Sequence, residues 1–253
     1  MTEVPFETFF EAATGYPPYG FQARFAGLPE LPELVRAPTG AGKTALIVLS
    51  WLWRRNCAPA ALRETTPRRL VFCLPMRTLV EQTSEVSRGW IQSLDDQGYA
   101  LNTRVHHLLG GDVDNDWESE PDRDLLLVGT QDQLLSRALN RGFALNRYRW
   151  SVHFALLNND ALWVMDEVQL MGVGLSTSAQ LQGFGFETYG PRRSVWMSAT
   201  LDPARLRTVD NRRELTRFEV TPEDIDHEAR LRVRMNARKE VSQAPDVFAS
   251  KAV

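Results

Sequence analysis

With 253 residues the chain can bury one large core or two small ones without help from disulfides. Hydrophobic residues at 43% and charged residues at 24% are the make-up of an ordinary globular protein, and exclude a disordered or fibrous chain. A formal net charge of −3 gives no global pull toward nucleic acid, so any polyanion site must be a local patch of cations and backbone N–H groups.

In chain order, Phe6, Phe9, Phe10 and Ala13 fall at helical spacing and predict a short amphipathic helix. It stops at the glycines, prolines and tyrosines of residues 14–20. Short apolar runs then alternate with longer helical stretches. The strand candidates are residues 34–35, 70–74, 103–109, 125–128, 162–165 and 194–197, and the helical ones are 43–54, 78–94, 131–140 and 176–184. Several runs are continuously apolar, as for strands covered on both faces of a parallel sheet. This order predicts right-handed crossovers and an open α/β sheet with helices on both faces.

Two polar stretches, 56–68 and 112–124, read as excursions from the core, the second as a solvated acidic loop. After Thr221 the apolar periodicity fades, so residues 221–253 read as a linker leaving a domain of residues 1–220. Cys57 and Cys73 are too few for a disulfide framework and read as buried thiols of a reducing compartment. The acidic N-terminus lacks a signal-peptide layout, and no apolar run nears the roughly 20 residues that span a bilayer. A cytoplasmic protein without a membrane partner is expected.

Ala37, Pro38, Thr39, Gly40, Ala41, Gly42, Lys43 and Thr44 follow a strand candidate and open a helix, the context that gives a phosphate-loop match its meaning. Gly40 and Gly42 would let the backbone curl until its N–H groups face phosphates, with the helix N-terminus adding a favourable dipole. Lys43 is then the ligand of the β- and γ-phosphates of ATP, and Thr44 a ligand of Mg²⁺. The run 162–165 ends on Asp166 and Glu167, at the carboxyl end of its strand, where a phosphate loop also delivers its ligand. Asp166 suits Mg²⁺, and Glu167 suits the base that orients and deprotonates attacking water. Ser198 and Thr200 follow the next strand candidate and are placed to couple the nucleotide site to a neighbouring groove. Arg192 and Arg193 read as surface charge.

Taken together these residues resemble the first motor lobe of a superfamily 2, DEAD/DEAH-like helicase. Residues 37–44 resemble motif I, residues 166–169 the DEAD/DEAH box, residues 198–200 motif III and residues 75–82 motif Ia. Gln22 resembles the glutamine that reads adenine, so residues 1–25 would be an N-terminal helix and adenine segment. The resemblance implies a RecA-like P-loop domain whose strand-end loops touch nucleic acid through Arg77, Thr78, Gly111, Thr130 and Gln131, with Arg137 and Arg141 farther along the helix. It also implies coupling through Gln169, Ser198 and Thr200, and a second RecA-like lobe after residue 221, supplied in a longer protein or in trans.

Within that superfamily, residues 9–15, 130–133 and 166–172 resemble the CRISPR-associated helicase-nuclease of type I systems, the glutamine at 169 being similar to the type I-G branch. Single-stranded DNA, a guide-RNA-bound effector complex and a nuclease domain are the partners this implies. No His-Asp nuclease signature is present, and His106 and His107, adjacent on a strand candidate, point to opposite faces. An RNA helicase or restriction-type translocase lobe fits the same motifs. So does a nucleotide-gated binding module without turnover.

Overall fold

The computed structural model describes residues 3–110, 112–113, 116–142, 145–188, 192–200, 202–212 and 214–237. Helices α1 (Phe6–Thr14) and α2 (Gly20–Ala26) precede β1 (Leu34–Arg36), α3 (Lys43–Asn56), α4 (Ala60–Thr65) and β2 (Arg69–Leu74). Then come α5 (Arg77–Asp96), β3 (Thr103–Leu109), β4 (Asp112–Val113), β5 (Asp124–Thr130), α6 (Gln131–Ala138) and α7 (Arg147–Asn158). The last third holds β6 (Ala161–Met165), α8 (Val173–Thr188), β7 (Arg192–Ser198), β8 (Arg217–Glu219), α9 (Pro222–Asp226) and α10 (Ala229–Asn236).

Among the described residues one sheet forms, in the order β4-β3-β5-β2-β6-β7-β1-β8. Every pairing is parallel except that of β4 with β3. All six strands expected from the sequence are present. Their continuous apolar character has a simple cause, because successive side chains enter different cores. Leu70, Phe72 and Leu74 of β2 join the layer of α1, α2, α3 and α5, while Val71 and Cys73 join that of α6 and α8. A parallel sheet also puts all of its strand C-termini on one edge. That edge carries residues 37–44 after β1, Pro75 after β2, Gly110 after β3, Asp166 after β6 and the Ser198 end of β7.

Several local expectations need correction. The stretch 112–124 is not merely solvated loop: Trp117 is fully buried, its ring centroid 4.5 Å from that of His153. Glu118 pairs with Arg149 at 2.6 Å, and Asp124 with Arg55 at 2.8 Å. Within 56–68, α4 forms a short helix. Arg192 is not surface charge. It is buried at the start of β7, where its Nη1 donates to Asn158 Oδ1 at 2.7 Å and Leu181 O at 2.9 Å.

Helices α9 and α10 lie against the domain instead of leading away from it. Thr221 and Asp224 form a reciprocal cap at the start of α9. Arg24 grips Asp224 with two bonds of 2.9 and 3.0 Å, and Gly20 N donates to Glu228 Oε1 at 3.1 Å. Leu231 is fully buried in the α1–α2–α3 core. The segment reads as a linker because an ion pair and hydrogen bonds with residues some 200 positions away hold much of it, and apolar periodicity cannot report those. Residues 238–253 lie outside the described residues. No helix among the described residues is long and apolar enough to cross a membrane.

Candidate nucleotide site and strand-end groove

The loop from Ala37 to Gly42 turns on two glycines. Gly40 and Gly42 have φ of 86° and 83°, a left-handed backbone that β-carbon sterics disfavour in other residues. Gly42 caps α3, so Lys43 is the first helical residue, at the positive end of the helix dipole. Ala37 N donates to Ser198 O at 3.3 Å, extending the β1–β7 ladder and seating the loop beside the end of β7.

Asp166 N donates to Cys73 O at 3.1 Å, which extends the neighbouring β2–β6 ladder in the same way. Lys43 and Glu167 meet across β7: Nζ lies 3.0 Å from Oε1, the lysine 6% and the glutamate 21% exposed in their side chains. Glu167 sits at φ 51°, an uncommon conformation for a residue with a β-carbon and one often found at functional sites. Asp166 is buried, and that burial, with Glu167 adjacent, pushes its carboxyl up to about 6 against the opposing pull of Lys43. Gln169 donates from Nε2 to Glu167 Oε2, while its Oε1 accepts from Ser198 Oγ at 2.7 Å. Ser198 Oγ in turn accepts from Thr200 N at 3.1 Å. A continuous polar chain therefore runs from Lys43 through Glu167 and Gln169 to Ser198 and Thr200.

Two cavities flank the loop. One, of about 330 Å³, is lined by Thr39, Gly40, Lys43, Thr44, Asp166 and Glu167 among others. The second, of about 350 Å³, lies on the other side of Gly42 and is lined by Tyr16, Tyr19, Gln22, Trp90 and neighbours. A third cavity, of about 720 Å³, opens at the ends of β2, β3 and β5 and is lined by Pro75, Gly110, Thr130 and Gln131. Gly174 of α8 leaves room for the Gln131 side chain, since a Cβ there would stand 2.2 Å from Gln131 Oε1.

Residues 29–209 match the DEAD/DEAH box helicase family model, most of the described sheet included. The chain belongs to the DEAD/DEAH box helicase family. Its fold is that of a RecA-like helicase lobe. The DUF1998 helicase MrfA bound to DNA is similar with a TM-score of 0.61 and 14% identity, over 88% of this chain and 30% of that one. DEAD-box helicase Mss116 bound to single-stranded RNA and UDP-BeF gives 0.55 and 15%, over 87% and 46%. Dbp5 of S. cerevisiae bound to RNA and ADP BeF3 gives 0.53 and 18%, over 80% and 46%. The chain thus spans less than half the length of these solved relatives. No curated protein matches it in sequence.

In this helicase lobe the residues singled out from the sequence fall into two groups. Lys43, Thr44, Asp166 and Glu167 share one cavity, and Gln169, Ser198 and Thr200 are bonded to it in sequence. A carboxylate and a hydroxyl are the oxygen donors that Mg²⁺ takes when phosphates and waters complete its shell, so Asp166 and Thr44 fit such an ion. Gln22 lines the second cavity but is 2% exposed, with its carboxamide already engaged. Oε1 accepts from Tyr19 N at 2.9 Å and Nε2 donates to Gly42 O at 3.4 Å, tying α2 to the phosphate loop.

The groove candidates are more scattered. Thr130 and Gln131 line the third cavity, whereas Arg77 and Thr78 are exposed beyond it, Arg77 bonded to Glu81 at 2.9 Å. Gly111 lies outside the described residues. Arg137 is corrected from nucleic-acid candidate to core residue: it is 1% exposed, and its Nη1 donates to Gln133 O and Oε1 at 2.8 and 2.6 Å. Six residues after Gln131, Arg137 stands on a different face of α6, turned from the groove into the core. Arg234, which belongs to none of these motifs, lines both cavities beside the loop from α10.

Proposed function

We propose that this lobe binds Mg-ATP across the two cavities on either side of Gly42 and uses its hydrolysis to move along a nucleic-acid strand. The observation that carries the reading is the Lys43–Glu167 pair inside a phosphate loop of left-handed glycines, in a chain of this family. Incoming phosphates compete with Glu167 for the Lys43 ammonium. Once Lys43 is drawn to phosphate, Glu167 is free to accept a proton from the attacking water. Asp166 and Thr44 would hold Mg²⁺, which supplies charge neutralisation at the transferred phosphoryl group. Gln22 holds the loop and reads the base edge with the donor and acceptor capacity its backbone bonds leave over.

Release of Glu167 also frees Gln169, whose other end holds Ser198. Rearrangement there is the route by which nucleotide state reaches the strand-end loops. Nucleic acid then lies over Thr130 and Gln131, with Arg77, Thr78 and Gly111 completing the contacts to backbone phosphates. A second RecA-like lobe supplies the opposite wall of the cleft, including the arginine that in related hydrolases is worth roughly 10³–10⁵ in rate.

The finer reading is a single-stranded-DNA translocase acting in CRISPR interference, recruited to a guide-RNA-bound effector complex and working with a nuclease. Its support is sequence alone: residues 9–15, 130–133 and 166–172. The RNA-helicase reading has its own support, because Mss116 and Dbp5 are both described with RNA. The decisive measurement is ATP turnover by the lobe joined to its second lobe, with single-stranded DNA or RNA of one sequence. Stimulation by DNA alone supports the translocase. Stimulation by RNA alone replaces it, and no stimulation by either removes the motor.

A further inference from the structure

The two cavities around the phosphate loop share a lining residue that no helicase motif accounts for. Arg234 of α10 borders the phosphate cavity with Lys43 and Glu167, and the second cavity with Gln22 and Tyr19. The helix that carries it is seated by several independent contacts. Leu231 is fully buried, Arg230 Nη2 donates to Pro17 O at 2.9 Å, and the Arg230 guanidinium lies 5.3 Å from the Tyr19 ring centroid. One residue on, Met235 reaches the phosphate loop itself, its Cε 3.2 Å from where a Cβ of Gly40 would stand. Arg230 is thus committed to the α1–α2 connection and Arg232 lines neither cavity, whereas Arg234 is exposed and makes no hydrogen bond or ion pair among the described residues.

We propose that Arg234 is a nucleotide-binding residue supplied from the segment after the motor lobe, contacting the phosphate nearest the ribose. The inference rests on the reading of these cavities as the ATP site. With the base beside Gln22 and the terminal phosphates at Lys43, the α-phosphate crosses the boundary beside Gly42 that Arg234 overlooks. A guanidinium there can bond phosphate oxygens with its planar fork of donors. It distinguishes nucleotides from nucleosides, and acts on ADP as well as ATP. Because α9 and α10 are otherwise held by a few contacts, those of Asp224, Glu228, Arg230, Leu231 and Met235, bound nucleotide adds a further clasp to this segment. Nucleotide occupancy and the direction in which the chain leaves the lobe then become linked.

Calorimetric titration of the full 253-residue chain tests this, using Mg-ATP, Mg-ADP and adenosine on wild type, Arg234→Ala and Arg234→Glu. Loss of one charge-assisted contact should weaken ATP and ADP by roughly tenfold in Arg234→Ala. Arg234→Glu should weaken them further, and adenosine should not change. Because the side chain is exposed, neither variant should disturb the fold, which thermal unfolding without nucleotide verifies. Unchanged ATP affinity in both variants would overturn the contact, and tighter binding would show α10 to be an obstructing lid. A wild-type chain that takes up no ATP would remove the underlying phosphate-loop reading, which distinguishes that failure from failure of Arg234 alone.

Discussion

Replacing Glu167 with Gln should tighten ATP binding while it stops turnover. Lys43 is held by Glu167 at 3.0 Å, with both side chains largely withdrawn from water. Opposite unit charges at that distance attract by roughly 5 kcal/mol at an effective dielectric constant near 20. Desolvation and side-chain ordering cancel most of this, leaving a net worth of about 1 kcal/mol for a partly open pair. ATP must displace that pair before its phosphates can take the ammonium. Removing the charge of Glu167 without changing its size should therefore improve affinity by about fivefold. Loss of a negative charge beside the polyphosphate acts in the same direction. Calorimetry with Mg-ADP and Mg-ATP measures the gain. Turnover in the two-lobed protein should fall by roughly 10²–10⁴, the usual worth of a positioned base. Weakened binding on the scale of Lys43→Ala would refute the reasoning, because it would make Glu167 a nucleotide or metal holder and not a competitor for Lys43. Unchanged affinity would show that the resting ion pair contributes nothing in solution.

Lys43→Ala should unfold within a few degrees of wild type without nucleotide, yet lose the thermal shift of roughly 5–10 °C that Mg-ATP at a hundred times its Kd should give the wild-type chain; a retained shift removes the phosphate-loop assignment. Gln22→Ala should weaken ATP more than inorganic triphosphate by calorimetry, and equal losses would mean that Gln22 acts only by tying Tyr19 to Gly42. Gly129→Ala should lower stability by roughly 1–3 kcal/mol in denaturant unfolding, because its Cβ would stand 2.9 Å from Leu134 Cγ and 3.0 Å from Leu108 O; a neutral result would show that β5 and α6 can separate freely. Hydrogen bonds from Arg24 hold the Asp224 carboxyl down to about 2, below its ordinary 3.8. The stability this contributes is present above about pH 4 and lost as pH falls toward 2. The gap between wild type and Asp224→Asn should therefore close over that window in pH-dependent unfolding, and a gap that ignores pH would contradict it.

The motifs and their order were legible in the residues alone because each is a local solution to a local demand. A phosphate loop needs glycine at positions of left-handed backbone, and Gly40 and Gly42 stand there with φ of 86° and 83°. A doubly covered strand needs an unbroken apolar run, and β2 and β6 are buried along their whole length. Given parallel strands, the alignment of Lys43, Asp166 and Ser198 on one edge follows from connectivity. Helix α7 was harder to read, since its apolar residues form no single stripe and only His153, Leu157 and Asn158 are buried.

What the tertiary structure alone decided is where charges go. Arg192 and Arg137 look like surface residues in sequence, and both are buried because backbone carbonyls and amide side chains far along the chain, or one turn away, meet their donors. The same holds for residues 222–236, whose ties to Pro17, Gly20 and Arg24 bring an arginine to the rim of the two cavities beside the phosphate loop. Apolar periodicity records which face of an element is buried, because burial repeats with the turn of the helix or the pleat of the strand. A single ion pair between distant segments repeats with nothing, and only the folded chain shows it.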